Sequence, residues 1–197
     1  TYEKIYLHPT HHAGYYPGAQ RMSLKLLFDP ADGKVLGAQA VGTSGVDKRI
    51  DVLAMAIQAG MTVFDLEEAE LAYAPQYGSA KDPVNMAGFI AAGVVRGDAK
   101  IMHVAQLPEA AKNGSTLLDV RTSAEFDCEH IPGAVNVPID ELRSRIAELD
   151  RTKPVVTYCQ VGQRGYLATR ILSQAGYDAA NLSGGYITYC QTLVPSG

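Results

Sequence analysis

The sequence predicts two folds in tandem: an α+β half built on an antiparallel sheet, then an α/β half built on a parallel sheet with helices on both faces. Three observations carry this prediction. Strands come first and helices after them up to about residue 95. From about residue 103, short continuous apolar strands alternate with helical segments. Between the two, Arg96-Gly97-Asp98-Ala99-Lys100 has the composition of a boundary, so domains are read at 1–96 and 101–197.

The first half opens with a strand over Lys4 to His8. Met22 to Phe28 and Lys34 to Val41 alternate apolar and polar side chains, the period of half-buried strands. Asp29-Pro30-Ala31-Asp32-Gly33 between them is a turn cluster, which makes the pair an antiparallel hairpin. Ile50, Leu53, Ala54 and Ile57 recur at helical spacing, and Gly60 supplies a stop. Asp82-Pro83 opens a last helix, with an N-cap acceptor and a proline where its missing N–H costs nothing.

The second half offers strands at Thr116 to Val120, Val135 to Pro138, Pro154 to Tyr158 and Ala179 to Leu182. Helices are predicted over Ile139 to Leu149 and Gly165 to Ala175. Apolar strands alternating with helices imply parallel pairing and burial on both faces.

Composition excludes several classes of function. The 197 residues are 47% hydrophobic and 19% charged, which is ordinary for a globular protein. A net charge of −4 without a basic run argues against nucleic-acid binding. Val84 to Val95, the most apolar stretch, falls well short of the roughly 18 residues of a membrane span. Three scattered cysteines make no disulfide framework, so a reducing, cytoplasmic setting is expected. His11 and His12 are adjacent and suit a turn or surface better than a metal site, and no metal is expected. Thr1 in place of an initiator Met, with a strand beginning almost at once, leads us to expect a piece of a longer chain.

The chemistry concentrates after the strand Val155 to Tyr158. That strand delivers Cys159 to its carboxyl end, where ligand sites of parallel sheets lie. The loop Gln160-Val161-Gly162-Gln163-Arg164-Gly165 then closes onto a helix N-terminus. Such a loop can turn backbone N–H groups inward as a nest for an anion, helped by the helix dipole and here by Arg164. An ordinary thiol of pKa ~8.5 is only about 3% thiolate at pH 7. A two-unit reduction needs about 2.7 kcal/mol, within reach of a few oriented amides and a guanidinium. The thiolate could then accept a sulfane sulfur and hold it as a persulfide for a second thiol to remove. The bland reading of Cys159 is a small buried hydrophobe.

The flanking motifs decide between these readings. Cys159-x-x-Gly162-x-Arg164, Leu117-Leu118-Asp119-Val120-Arg121, Glu125-Phe126 with His130-Ile131-Pro132-Gly133-Ala134-Val135-Asn136-Val137-Pro138, and Leu182-Ser183-Gly184-Gly185 occur in order. From about residue 101 to 192 the chain resembles the rhodanese family. The resemblance implies that Cys159 is the persulfide-forming nucleophile and Gln160 to Gly165 its active-site loop. It also implies that Asp119, Arg121 and Glu125 form a structural polar network. The position after the cysteine is often basic in thiosulfate-using members, whereas Gln160 and Val161 are neutral. That points towards less anionic persulfides or polysulfides. Arg164 lies five positions after Cys159, one fewer than in cysteine phosphatases, and the smaller loop suits sulfur. Cys128 and Cys190 lack a basic neighbourhood and are read as packing or surface residues.

The first half is similar to the dimerisation domain of pyridine nucleotide–disulfide oxidoreductases, most of all to coenzyme A-disulfide reductases fused to a rhodanese domain. The likeness rests on His12-Ala13-Gly14-Tyr15-Tyr16-Pro17-Gly18-Ala19, Val35-Leu36-Gly37-Ala38-Gln39, Tyr73-Ala74-Pro75-Gln76-Tyr77 and Lys81-Asp82-Pro83-Val84-Asn85. It implies a homodimer in which Tyr15 and Tyr73 approach the partner's redox cysteine and coenzyme A. The alternative is that both are ordinary interface tyrosines. FAD, NAD(P)H and coenzyme A are implied for a full-length protein with a preceding flavin region. None is expected on these residues, where no G-x-G-x-x-G follows a strand. Small sulfur donors and thiol acceptors are the implied partners. A non-catalytic dimerisation or binding module with an idle rhodanese scaffold is the competing reading.

Overall fold

The computed structural model describes residues 1–193. The chain divides into two compact units, Thr1–Gly97 and Asp98–Gly197.

In the first unit, β1 (Glu3–Leu7), β2 (Met22–Phe28) and β3 (Val35–Gly42) form an antiparallel sheet in that order. Met22, Leu24, Leu26 and Phe28 point to one face and are buried, as the alternation predicts. Asp29 and Asp32 accept from the Ala31 and Lys34 amides and fix the turn between β2 and β3. Three helices follow: α1 (Val46–Gln58), α2 (Val63–Glu68) and α3 (Pro83–Val95). Asp82 caps α3 by accepting from Val84, and Asn85 returns the bond to the Asp82 amide. The same carboxylate meets Arg49, which is 1% exposed and also donates to the carbonyls of His11 and Gly45. One buried ion pair thus ties α1, α3 and the loop after β1 together.

The second unit is a five-stranded parallel sheet in the order β4-β8-β7-β5-β6. Its strands are β4 (Lys100–Met102), β5 (Thr116–Asp119), β6 (Val135–Asn136), β7 (Val155–Tyr158) and β8 (Ala179–Leu182). Its helices are α4 (Leu107–Lys112), α5 (Ser123–Cys128), α6 (Leu142–Arg145), α7 (Gln163–Gln174) and α8 (Gly185–Leu193). Adjacent residues of one strand feed opposite faces. Leu118 and Val155 pack with Leu142, Ala168 and Leu172 of α6 and α7. Leu117 and Val156 pack with Leu107 of α4 and with Tyr186 and Tyr189 of α8. The central strand β7 is buried throughout, which is why it reads as an uninterrupted apolar run.

Several expectations are corrected. The division falls between Gly97 and Asp98, within the boundary run, so the second unit starts three residues before 101 and Lys100 already opens edge strand β4. The helix expected from Ile139 to Leu149 is a four-residue α6 followed by a short 3-10 turn, Ile146–Glu148. A turn after Pro138, closed by the Glu141 amide on the Pro138 carbonyl, delays it. His12 is not a surface residue: it is 4% exposed, and its Nδ1 lies 3.0 Å from the Ala13 carbonyl oxygen.

Candidate active site

Cys159 follows β7 directly, is 1% exposed and belongs to the core cluster that includes Leu118, Val120 and Ala168. The loop after it is held by its carbonyls. The Cys159 and Gln160 carbonyls accept from the Tyr186 and Ile187 amides of α8 at 2.8 and 3.1 Å. The Gly162 carbonyl accepts from Asn181 Nδ2 at 3.0 Å and from the Tyr166 amide. The Gly165 carbonyl accepts from the hydroxyls of Thr157 and Thr169 at 2.8 and 3.0 Å.

In a planar trans peptide, C=O and the following N–H point in opposite directions. Carbonyls drawn towards α8 and β8 therefore turn the Gln160, Val161 and Gln163 amides the other way. Among the described residues, no amide from Gln160 to Gly165 is taken up by a backbone carbonyl. Those of Gln163, Arg164 and Gly165 also open α7, where the helix dipole favours negative charge.

The approach of α8 depends on Gly185. Its φ is +60°, and a Cβ there would lie 2.3 Å from the Cys159 carbonyl oxygen and 2.9 Å from the Gly162 nitrogen. The double glycine after β8 is thus what lets a helix press against the loop.

Two ion pairs flank the site. Arg164 forks onto Glu125, with both N–O distances 2.7 Å. Glu125 in turn accepts from the amide and hydroxyl of Thr122 and completes the cap of α5. The Arg164 guanidinium holds the Glu125 carboxyl at about 2, against the opposing effect of burial, with Thr122 assisting. Glu125 holds Arg164 above its usual range against burial, and the Cys159 sulfur adds to that effect. Arg164 is therefore fixed by a carboxylate while remaining in electrostatic contact with the sulfur. The second pair, Arg121 with Asp119, is buried at 2.7 Å. Arg121 also reaches Gln160 Oε1 at 3.2 Å and the Glu129 carbonyl at 2.7 Å. Its guanidinium carbon lies 4.4 Å from the Tyr186 ring centroid. Asp119, Arg121 and Glu125 thus divide between two ion pairs rather than forming one.

Tyr158 explains the spacing of the His130-Ile131-Pro132 motif: its buried hydroxyl accepts from the Ile131 amide at 3.1 Å. Burial pushes that phenol well above its ordinary value. Cys128 is exposed, and Cys190 is part-buried beside the cluster around Tyr186. In the first unit the Tyr15 and Tyr73 hydroxyls are 2.7 Å apart and both side chains are exposed. The contact raises the Tyr73 pKa. Their loops are joined by the Ala13 amide, which donates to the carbonyls of Pro75 and Gly78.

Sequence reasoning missed Asn181, Glu129 and Tyr186. Asn181 carried a signal, a polar amide inside the apolar run Ala179-Ala180-Asn181-Leu182, and it is 8% exposed under the loop. Among the described residues no group of three or more His, Cys, Asp or Glu could hold a metal. No helix among them is long and apolar enough to cross a membrane.

Comparison with known proteins agrees with both halves. A family model described as rhodanese-like domain matches residues 103–192. One described as pyridine nucleotide-disulphide oxidoreductase, dimerisation domain, matches residues 1–82. A coenzyme A disulfide reductase of Staphylococcus haemolyticus is 49% identical over 88 residues, which is 45% of this chain and 20% of that protein. The structure of reduced CoADR-RHD from Bacillus anthracis is similar over 98% of this chain and 35% of its own, with 44% identity and a TM-score of 0.96. A NAD-dependent persulfide reductase from A. fulgidus is similar over 96% and 34%, with 38% identity and a TM-score of 0.87. The chain thus spans about a fifth of the curated reductase and about a third of each solved chain. Residues 1–82 thus carry a pyridine nucleotide-disulphide oxidoreductase dimerisation domain and residues 103–192 a rhodanese-like domain, in a chain similar over nearly its whole length to part of CoADR-RHD.

Proposed function

We propose that the second unit is a sulfurtransferase that carries sulfane sulfur as a persulfide on Cys159, serving a flavoprotein that reduces coenzyme A persulfides, polysulfides or disulfides. The observation that carries this reading is the loop itself: its carbonyls are bonded away, its amides are left without backbone partners, and Arg164, fixed by Glu125, is coupled electrostatically to the sulfur. Such a loop stabilises one negative charge, first a thiolate and then the outer sulfur of Cys–S–S⁻. Cys159 is the nucleophile. Gln160, Val161, Gly162, Gln163 and Gly165 supply the cradle, and Arg164 supplies the cation. Asp119, Arg121 and Glu125 hold the loop and its arginine in position.

The first unit, residues 1–96 in this reading, serves a homodimer and presents Tyr15 and Tyr73 to the partner's reducing site. The hydrogen bond between the two phenols supports a shared role. FAD, NAD(P)H and coenzyme A belong to the reductase as a whole. The residues here do not fit a dinucleotide, because the strand-to-helix turn after β7 is packed against Gly185 and no glycine fingerprint follows another strand.

Intact mass of the chain after incubation with a persulfide donor tests the proposal. One added sulfur atom is expected, and Cys159→Ser should abolish it. Persistence of the adduct in that variant would reject the assignment. A chain that takes no sulfur while folded, with its thiol reduced, would favour an idle scaffold.

A further inference from the structure

A cleft beside the active-site loop, which it meets at Gln160, is lined by Arg121, Glu125, Cys128, Glu129 and Tyr186 among others. Its charges do not balance. The cation of Arg121 is matched by Asp119, and that of Arg164 by Glu125. Glu129 has no cation among the described residues. Its Oε2 accepts the Tyr186 hydroxyl at 3.1 Å, and Arg121 touches Glu129 only through the backbone carbonyl. Gln160, the loop residue facing the cleft, is neutral and has its Oε1 held by Arg121.

We infer that Glu129 is a specificity-determining carboxylate, which turns dianionic sulfur donors such as thiosulfate away from Cys159 and leaves the site to neutral or singly charged persulfides. This rests on the sulfur-carrier reading above. The loop provides for one negative charge, and the carboxylate of Glu129, in the cleft that Gln160 lines, acts against any more. A hydropersulfide reacts as Cys159–S⁻ + R–S–SH → Cys159–S–SH + R–S⁻. The new S–S bond forms as the donor's breaks, and the thiolate R–S⁻ leaves with the electron pair. Thiosulfate reacts as Cys159–S⁻ + S–SO₃²⁻ → Cys159–S–S⁻ + SO₃²⁻. It must bring a double charge past Glu129 towards a thiolate, and each like-charge approach along the cleft is unfavourable.

Glu129→Gln tests this directly, because the amide oxygen can still accept from Tyr186 and the fold is retained. Sulfur loading of Cys159 is timed by intact mass with thiosulfate and with N-acetylcysteamine persulfide, whose organic part is uncharged. The ratio of the thiosulfate rate to the persulfide rate is expected to rise about tenfold in Glu129→Gln and further in Glu129→Lys. In the unsubstituted chain, thiosulfate loading should speed up with added salt as the repulsion is screened, and Glu129→Gln should weaken that dependence to what the thiolate itself causes. Ratios unchanged in both variants, with Cys159 still taking sulfur, would overturn the inference and leave the carrier reading intact. Loading from neither donor would remove the carrier reading and the inference with it.

Discussion

Substituting Gly185 by alanine should damage the loop from outside. The φ of +60° costs an alanine about 1 kcal/mol. The larger effect comes from contact: the new Cβ would meet the Cys159 carbonyl oxygen at 2.3 Å, and backbone cannot rotate away as a side chain can. Relief requires α8 to withdraw, which loosens the Tyr186 and Ile187 amide bonds to the loop. Each is worth about 1 kcal/mol. The sum, about 3 kcal/mol, corresponds to a fall of roughly 15 °C in the melting transition of a unit of this size. Gly176 provides the control. Its φ is +85°, but nothing lies within 4 Å of a Cβ built there, so Gly176→Ala should cost only the dihedral term. Thermal unfolding followed by far-ultraviolet circular dichroism, together with sulfur loading, gives both readouts. Gly185→Ala should melt well below Gly176→Ala and load slowly. Equal melting of the two variants would refute the claim that α8 presses on the loop.

Glu125→Gln should slow loading of Cys159 about tenfold, because Arg164 loses one arm of its fork and no longer faces the sulfur in a fixed pose. Stability should fall by under about 1 kcal/mol, since the pair is a third exposed and screened by solvent. Stopped sulfur-transfer assays beside denaturation separate the two effects. Arg164→Lys should resemble it, as an ammonium cannot engage both carboxylate oxygens in the same plane. The first unit should lose stability as pH falls. Burial, helped by Arg21, holds the His8 imidazole at about 4 instead of 6.5. The unfolded chain therefore binds this proton first, so the stabilisation is complete above 6.5 and declines down to 4. The loss should reach about 2–3 kcal/mol in urea titrations at successive pH values, and His8→Gln should flatten that slope.

The strands were legible because burial wrote itself into side-chain order. The alternation from Met22 to Phe28 and the unbroken apolar run at β7 each reflect which faces are covered. The parallel sheet and the cysteine at its carboxyl edge followed from the same pattern. Short helices were harder. α2 and α5, at six residues each, have no room for an apolar stripe. Their capping boxes, Thr62 with Asp65 and Thr122 with Glu125, were the available signs. Edge strand β4 hid for a related reason, since three residues, one exposed and two half-covered, leave no period. At the site, the cysteine and its loop were readable, but the partners that aim the loop were not. Asn181 and Tyr186 reach it across the sheet from residues about twenty further on, and no local spacing encodes that meeting. The pairing of Arg164 with Glu125 was equally non-local and turned a free-looking cation into a fixed one.

The cradle itself can be put to the test by a crystal structure of the chain loaded with one sulfane sulfur. The outer sulfur bonded to Cys159 should lie within about 3.5 Å of several amide nitrogens between Val161 and Gly165. A terminal sulfur turned away from those amides, with their N–H groups bonded elsewhere, would contradict the account.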